Sequence, residues 1–399
     1  MFDGFDTYIY TSKGERLMNS VLVQTFDVDN VRYIKDMKVP VCSAHEIRIK
    51  VRVCALDGLD KKVLRGEFSS FVALPLTPGY QVSGVVDQTG SSVRNFTKGD
   101  AVVAIIPLDT RYGGLGSYVI VNHINAIKKP ESVEHVDAAA ILLDGLRIYH
   151  SLHYLASIKP SHFVGIACED LALTHVALQV LKAIKDVKVI IISKSGGYTY
   201  KEYGSFIVRV VDPSMESTVD CVMQETGGLG LDLILDFRDN DQGFGGTVGD
   251  GKGDKAETDP QDDRKHLDHR EKIEEEVVGR MDTPCPVKKS VIIRCLAVHG
   301  RWITSNTHLQ LHPHESLQLA MRSASLCFLF EQTWLLSPKQ QGKYLHILED
   351  LMQGLKKKVL KPLVAKRIKL EEVRSALKHL RVSSGGGKIA VLVNNGDEA

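Results

Sequence analysis

The chain reads as an α/β protein in two parts, an irregular antiparallel β-barrel followed by a doubly wound parallel sheet. Three observations carry that reading. From about residue 20 to 125, apolar residues alternate with charged ones in short runs punctuated by turns, as in His45-Glu-Ile-Arg-Ile-Lys-Val-Arg-Val-Cys54. This is the period of strands with one wet face. After Pro130 the period lengthens to that of helices, at 136–143, 146–155 and 171–184. Short apolar runs at 187–192, 207–211 and 231–235 lie between them and read as buried strands. Strands alternating with helices wind into a parallel sheet through right-handed crossovers, whereas strands without helices close on themselves.

In the first part, Gly84-Val-Val-Asp-Gln-Thr-Gly90, Lys98–Ile106 and Gly113–Val121 have strand-and-turn character. In the second, 238–287 breaks the pattern, being rich in Gly, Asp, Glu and Lys and poor in apolar residues. Such a composition does not offset its ordering entropy by burial, and predicts a disordered insertion with one helix near 265–277. The sheet is expected to resume at Ser290-Val-Ile-Ile-Arg294 and Gly300-Arg-Trp-Ile303. Beyond Ser337, helices at about 340–355 and 370–380 precede a last strand at 388–393, which is expected to return to the barrel. The first domain is therefore placed at 1–145, completed by about 340–399, and the second at 146–339.

The 399 residues are enough for two cores, and 50 basic against 49 acidic residues leave a net charge of +1. No global field recruits nucleic acid or an anionic membrane, so the expected partner is a small molecule or a protein. The N-terminus shows no basic segment followed by an apolar one, and no run is long and apolar enough to span a bilayer, which predicts a cytoplasmic protein. Seven cysteines without a CxxC pair fit a reducing compartment, with neither a disulfide framework nor a thiolate zinc site.

The segment Phe163-Val-Gly-Ile-Ala167, Cys168–Thr174, His175–Lys182 is a buried strand feeding an amphipathic helix, with a second strand at Val187–Ile192. A dinucleotide-binding βαβ unit begins this way, yet it needs glycines in the turn so that the backbone can approach a pyrophosphate at the helix N-terminus. Here the turn Cys168-Glu-Asp-Leu-Ala-Leu-Thr174 has none. Glu169 and Asp170 complement the helix dipole as capping residues and would repel a pyrophosphate.

Several segments together resemble the medium-chain dehydrogenase/reductase superfamily and, within it, the zeta-crystallin-like quinone oxidoreductases. They are Leu76-Thr-Pro-Gly79, Lys98-Gly-Asp100, Gly113-Gly-x-x-x-Tyr118, Glu225-Thr-Gly-Gly-x-Gly-x-Asp232 and Gly387-Lys-Ile. The resemblance implies a GroES-like barrel and a Rossmann domain, with NADPH and a quinone or enone substrate in the cleft between them. It also implies homodimers through the Rossmann sheet edge. By alignment, the family's three small turn positions fall on Cys168, Leu171 and Thr174, so Asp170, Leu171, Ala172 and Leu173 would face the pyrophosphate. Lys194 stands where a 2′-phosphate would lie, Asp57 and Lys62 where the family keeps an Asn and a Tyr facing the nicotinamide, and Asn240 matches a cofactor-contacting Asn. No catalytic side chain is assigned. Zinc-dependent relatives keep a Cys and a His where this chain has Asp57-Gly-Leu-Asp60 and Gly79-Tyr-Gln81, so no zinc is expected.

Two functional readings stay open at this point. One is a zinc-independent reductase passing hydride from NADPH to a quinone or activated alkene; the other is an inactive member of the same fold that binds a protein or a ligand. Other patterns carry no chemistry. Gly227-Gly-Leu-Gly230 precedes a strand, Gly385-Gly-Gly-Lys388 lacks the Ser or Thr of a phosphate loop, and His308, His312 and His314 lack a helical spacing. Lys356-Lys-Lys-Val-Leu-Lys361 reads as a solvated helix end.

Overall fold

A computed structural model of the chain describes residues 16–194, 200–238, 287–337, 339–380 and 387–394. In chain order, the first part contains β1 (Leu17–Val23), β2 (Val31–Lys38), β3 (Glu46–Leu56), α1 (Gly58–Leu64), β4 (Gln81–Thr89), β5 (Ala101–Ile105), β6 (Tyr118–Asn122) and β7 (Ala126–Lys128). Then come α2 (His135–Ala140) and α3 (Leu142–Tyr149), which runs on into a π-helical turn at His150–Leu155. The second part contains β8 (Phe163–Ala167), α4 (Leu171–Lys182), β9 (Lys188–Ile192), β10 (Ile207–Val211), α5 (Thr218–Glu225) and β11 (Leu231–Asp236). It continues through α6 (Lys289–Cys295), β12 (Leu296–Thr304), α7 (Pro313–Ala320) and β13 (Ser325–Phe328). The chain closes with α8 (Leu345–Lys356), β14 (Val364–Lys369), α9 (Val373–His379) and β15 (Lys388–Leu392).

β1 and β2 form an antiparallel hairpin, and the barrel sheet runs β14-β15-β3-β4-β5-β7 with β6 also on β3. Along β3 the alternation seen in the sequence is realised: Ile47, Ile49 and Val51 are buried, while Arg48, Lys50 and Arg52 are half-buried. The last strand does return to this sheet, β15 pairing antiparallel with β3 through Ala390 and Ala55. The second sheet is parallel throughout, in the order β10-β9-β8-β11-β12-β13. That is the doubly wound order, with its switch point between β8 and β11.

Two glycines are required by close approach. A β-carbon on Gly145 would lie 2.4 Å from both terminal carbons of Leu351, so α3 and α8 touch there only because the side chain is missing. Gly79, at φ +103°, would place one 2.8 Å from the Leu115 nitrogen.

The structure corrects one element. Ser290–Arg294, expected as a strand, lies in α6, whose Ile292, Ile293 and Cys295 are buried. A short apolar run does not by itself distinguish a strand from a buried helix. α8 also starts at Leu345, later than expected, because turns occupy 339–344. The expected insertion lies outside the described residues apart from its two ends, and those ends meet. Arg238 donates to the Val287 carbonyl and to both oxygens of Asp236, which also accepts from the Trp302 indole at 3.0 Å.

Candidate functional site

At the switch point β8 delivers Cys168, Glu169 and Asp170 to the mouth of the cleft, and β11 delivers Asp236 and Phe237. Asp170 takes extended backbone angles and its carboxylate accepts from the amides of Ala172 at 2.9 Å and Leu173 at 3.2 Å. These are the helix N-terminal donors that a pyrophosphate would use, and the chain's own carboxylate has them. Glu169 instead faces the end of β9, accepting from the Ser193 hydroxyl at 3.0 Å and the Lys194 amide at 3.1 Å. The family's small positions are packed: Cys168 and Thr174 are buried and Leu171 is half-buried. Burial, helped by the nearby Asp170, pushes the Cys168 thiol well above its usual range.

On the barrel side Asp57 caps α1, accepting from the Leu59 amide at 2.9 Å, while the Asp57 amide donates to Asp60 at 3.0 Å. Arg147, on α3, grips Asp57 with both guanidinium ends at 2.8 and 2.9 Å and reaches Glu331 at 2.6 Å. Lys388, the first residue of β15 and 2% exposed, pairs with Asp57 and with Asp144 at 2.8 Å. The cluster therefore ties four segments that are far apart in sequence.

Burial opposes charge on Asp57, but Arg147 and Lys388 win and hold its carboxyl well below the usual range. Asp60 and Asp144 go the other way, each pushed up to about 7 by burial. Burial raises Asp170 as well, against the pull of Lys388. Five carboxyl groups thus share two cations around one cleft, and Asp144 Oδ2 has no hydrogen-bond partner.

Asp57, Lys62, Asp170 and Leu173 line a common cavity with Arg147, Phe330 and Glu331. Ala172 joins them through its capped amide and Lys194 through its bond to Glu169, while Leu171 opens α4. Asn240 lies outside the described residues. The cavity has a volume of about 60 Å³, room for a few waters, against the roughly 300–1,000 Å³ of ordinary ligand pockets. At the start of α4 the residues present do not fit a dinucleotide's pyrophosphate, because the amides that would bind it already donate to Asp170. At the positions where zinc-dependent relatives hold metal, Asp60 accepts from the Gly79 amide and Gln81 from the Leu143 amide. Among the described residues no group of three His, Cys, Asp or Glu is arranged to hold a metal ion.

Arg147, Lys388, Asp144 and Glu331 were not singled out by the sequence. The available signal was a charged pair at i, i+3 inside the otherwise apolar run Ile141-Leu-Leu-Asp144-Gly-Leu-Arg147-Ile. A helix face that buries both must pair them with something.

Fold and cleft together define a protein of the medium-chain dehydrogenase/reductase type, a GroES-like barrel joined to a Rossmann sheet. Residues 43–131 match the alcohol dehydrogenase GroES-like domain. Over 343 residues the chain is 32% identical to quinone oxidoreductase-like protein 1 of Mus musculus, covering 85% of this chain and 88% of that one. It belongs to the quinone oxidoreductase-like family. Human quinone oxidoreductase is 26% identical over 57% of this chain and 68% of its own length. Among solved structures, the human synaptic vesicle membrane protein VAT-1 homolog-like protein superposes with TM-score 0.71 at 18% identity, covering 95% of this chain and 99% of that one. The quinone oxidoreductase from Coxiella burnetii superposes at 0.67 and 19%, covering 94% and 99%.

Proposed function

We propose that this chain keeps the oxidoreductase scaffold of its family with the dinucleotide cleft occupied by its own side chains, and that it acts by binding a partner rather than by hydride transfer. The observation that carries this reading is the capping of α4 by Asp170, seconded by the bonds of Glu169 to Ser193 and Lys194 after β9. Asp170 holds the amides that a pyrophosphate would use, and the ion cluster of Asp57, Arg147 and Lys388 stands where the family resemblance expects the nicotinamide. The family's NADPH:quinone chemistry is the competing reading, and binding decides between them.

The test is titration with NADPH and NADH to millimolar concentration, followed by Trp302 and Trp334 fluorescence and by thermal unfolding. No quench and no shift are expected. A site with a Kd of about 0.1 mM would add roughly 1.4 kcal/mol of stability at about 1 mM ligand, and a shift of that size overturns the proposal. The same scaffold reading includes a homodimer through β13, one edge of the parallel sheet, where Phe328 is 52% exposed and Val298 on the neighbouring β12 68% exposed. Light scattering on the full chain at micromolar concentration tests that. No described helix is long and apolar enough to cross a membrane.

A further inference from the structure

β14 ends the barrel sheet and pairs with β15 alone. Ala365, Lys366 and Arg367 are consecutive and all exposed. Successive strand residues point to opposite faces, so both faces are open to water here, and among the described residues no strand lies beside the outer backbone edge. The surrounding stretch, 356–369, contains seven cations and no acidic residue in a chain whose net charge is +1. Arg367 reaches Glu134 at 3.6 Å with both side chains exposed, a contact worth little in water. Lys361 and Arg367 both act on the Asp137 carboxyl of α2, which places them over one surface.

Two parts of this stretch have different explanations. Lys356 lies in the last turn of α8, where a cation complements the helix dipole. Lys366, Arg367 and Lys369 lie on a strand, which has no such dipole to complement.

We propose that β14 is a docking edge for an acidic polypeptide segment, taken up in extended conformation as an added strand. The open row of backbone N–H and C=O groups is satisfied in register only by another peptide backbone. The cations set the sign of that backbone's side chains, because like charges directly opposite destabilise a strand pair and unlike charges support it. They likewise oppose pairing of β14 with the β14 of a second copy. The proposal is independent of whether the cleft holds NADPH.

The experiment uses the full chain and a fluorescent short peptide of alternating glutamate and valine, read by anisotropy near physiological salt and again at low salt. The expected result is saturable binding that tightens at low salt. Lys366→Glu/Arg367→Glu, an exposed pair whose folding is checked by circular dichroism, is expected to weaken it by about tenfold or more. The same peptide N-methylated at alternate residues keeps its charge but loses donors, and is expected to weaken by a similar factor. Equal binding of the methylated peptide overturns strand addition. No binding of the parent peptide, or tighter binding of a single-stranded oligonucleotide or phosphatidylserine vesicles through the same two side chains, overturns the assignment to an acidic polypeptide.

Discussion

Lys388→Met removes one cation from the buried cluster while leaving the β15 backbone ladder intact. Lys388 is 2% exposed and serves two carboxylates, Asp57 and Asp144. After the change Asp57 still has the two-point grip of Arg147. Asp144 keeps only Arg147 at 3.4 Å, with its second oxygen already unpartnered. Breaking a buried ion pair from one side costs about 3–5 kcal/mol. The lower end, about 3 kcal/mol, applies here because Asp57 stays paired and Asp144 can take up a proton. Urea unfolding followed by circular dichroism and tryptophan fluorescence reads this as a lower midpoint at unchanged slope. The loss grows with pH, since keeping Asp144 neutral becomes harder as protons become scarce. Adding Asp144→Asn in the same chain removes the stranded charge and is expected to recover about half of the loss. A loss below about 1 kcal/mol, or no recovery in the double variant, refutes the view that these charges are mutually dependent.

The remaining predictions concern the same elements. Asp60, whose folded pKa is about 7 against about 3.9 unfolded, binds a proton in the native state that the unfolded chain has already lost. Its share of stability therefore falls as pH rises through that window, by roughly 2 kcal/mol between about pH 5.5 and 8, and Asp60→Asn should remove that share from the profile of unfolding midpoints, leaving the part carried by Asp144. Asp170→Ala strips the cap from α4 and should cost about 1 kcal/mol, read in the same unfolding assay. Gly145→Ala drives a β-carbon into the buried Leu351 and should destabilise by about 1–3 kcal/mol despite the better helix propensity. Truncating Leu351 to Ala in the same chain should then cost less than it does alone.

The fold was readable because period-two and helical patterns are properties of the local chain, and they place β3, α4 and β9 without tertiary information. The last strand was expected to return to the barrel, while its pairing with β3 and the strand order of each sheet depend on contacts distant in sequence. The cleft was readable only in part. Glu169 and Asp170 stand out because a turn that should hold glycine carries carboxylates; the capping bonds of Asp170 are local, whereas those of Glu169 reach Ser193 and Lys194 and were not legible. The cluster of Arg147, Asp57, Lys388 and Glu331 is not local: its members come from α1, α3, β15 and the loop after β13, and no sequence window holds more than two of them. For α6 the failure was one of length, since a handful of apolar residues fits a strand or a helix until its neighbours choose.

The clasp between Arg238 and the Val287 carbonyl fixes the exit and re-entry points of the chain at adjacent places on the rim of the parallel sheet. β11 and β12 pair in register from Leu233 to Asp236 behind it, and Trp302 locks to Asp236 across that pairing. The geometry of the sheet is thereby held by the two ends themselves, Arg238 and Val287. Residues can be gained, lost or exchanged between them over generations, or replaced by a reporter module in the laboratory, while the Rossmann core keeps its shape.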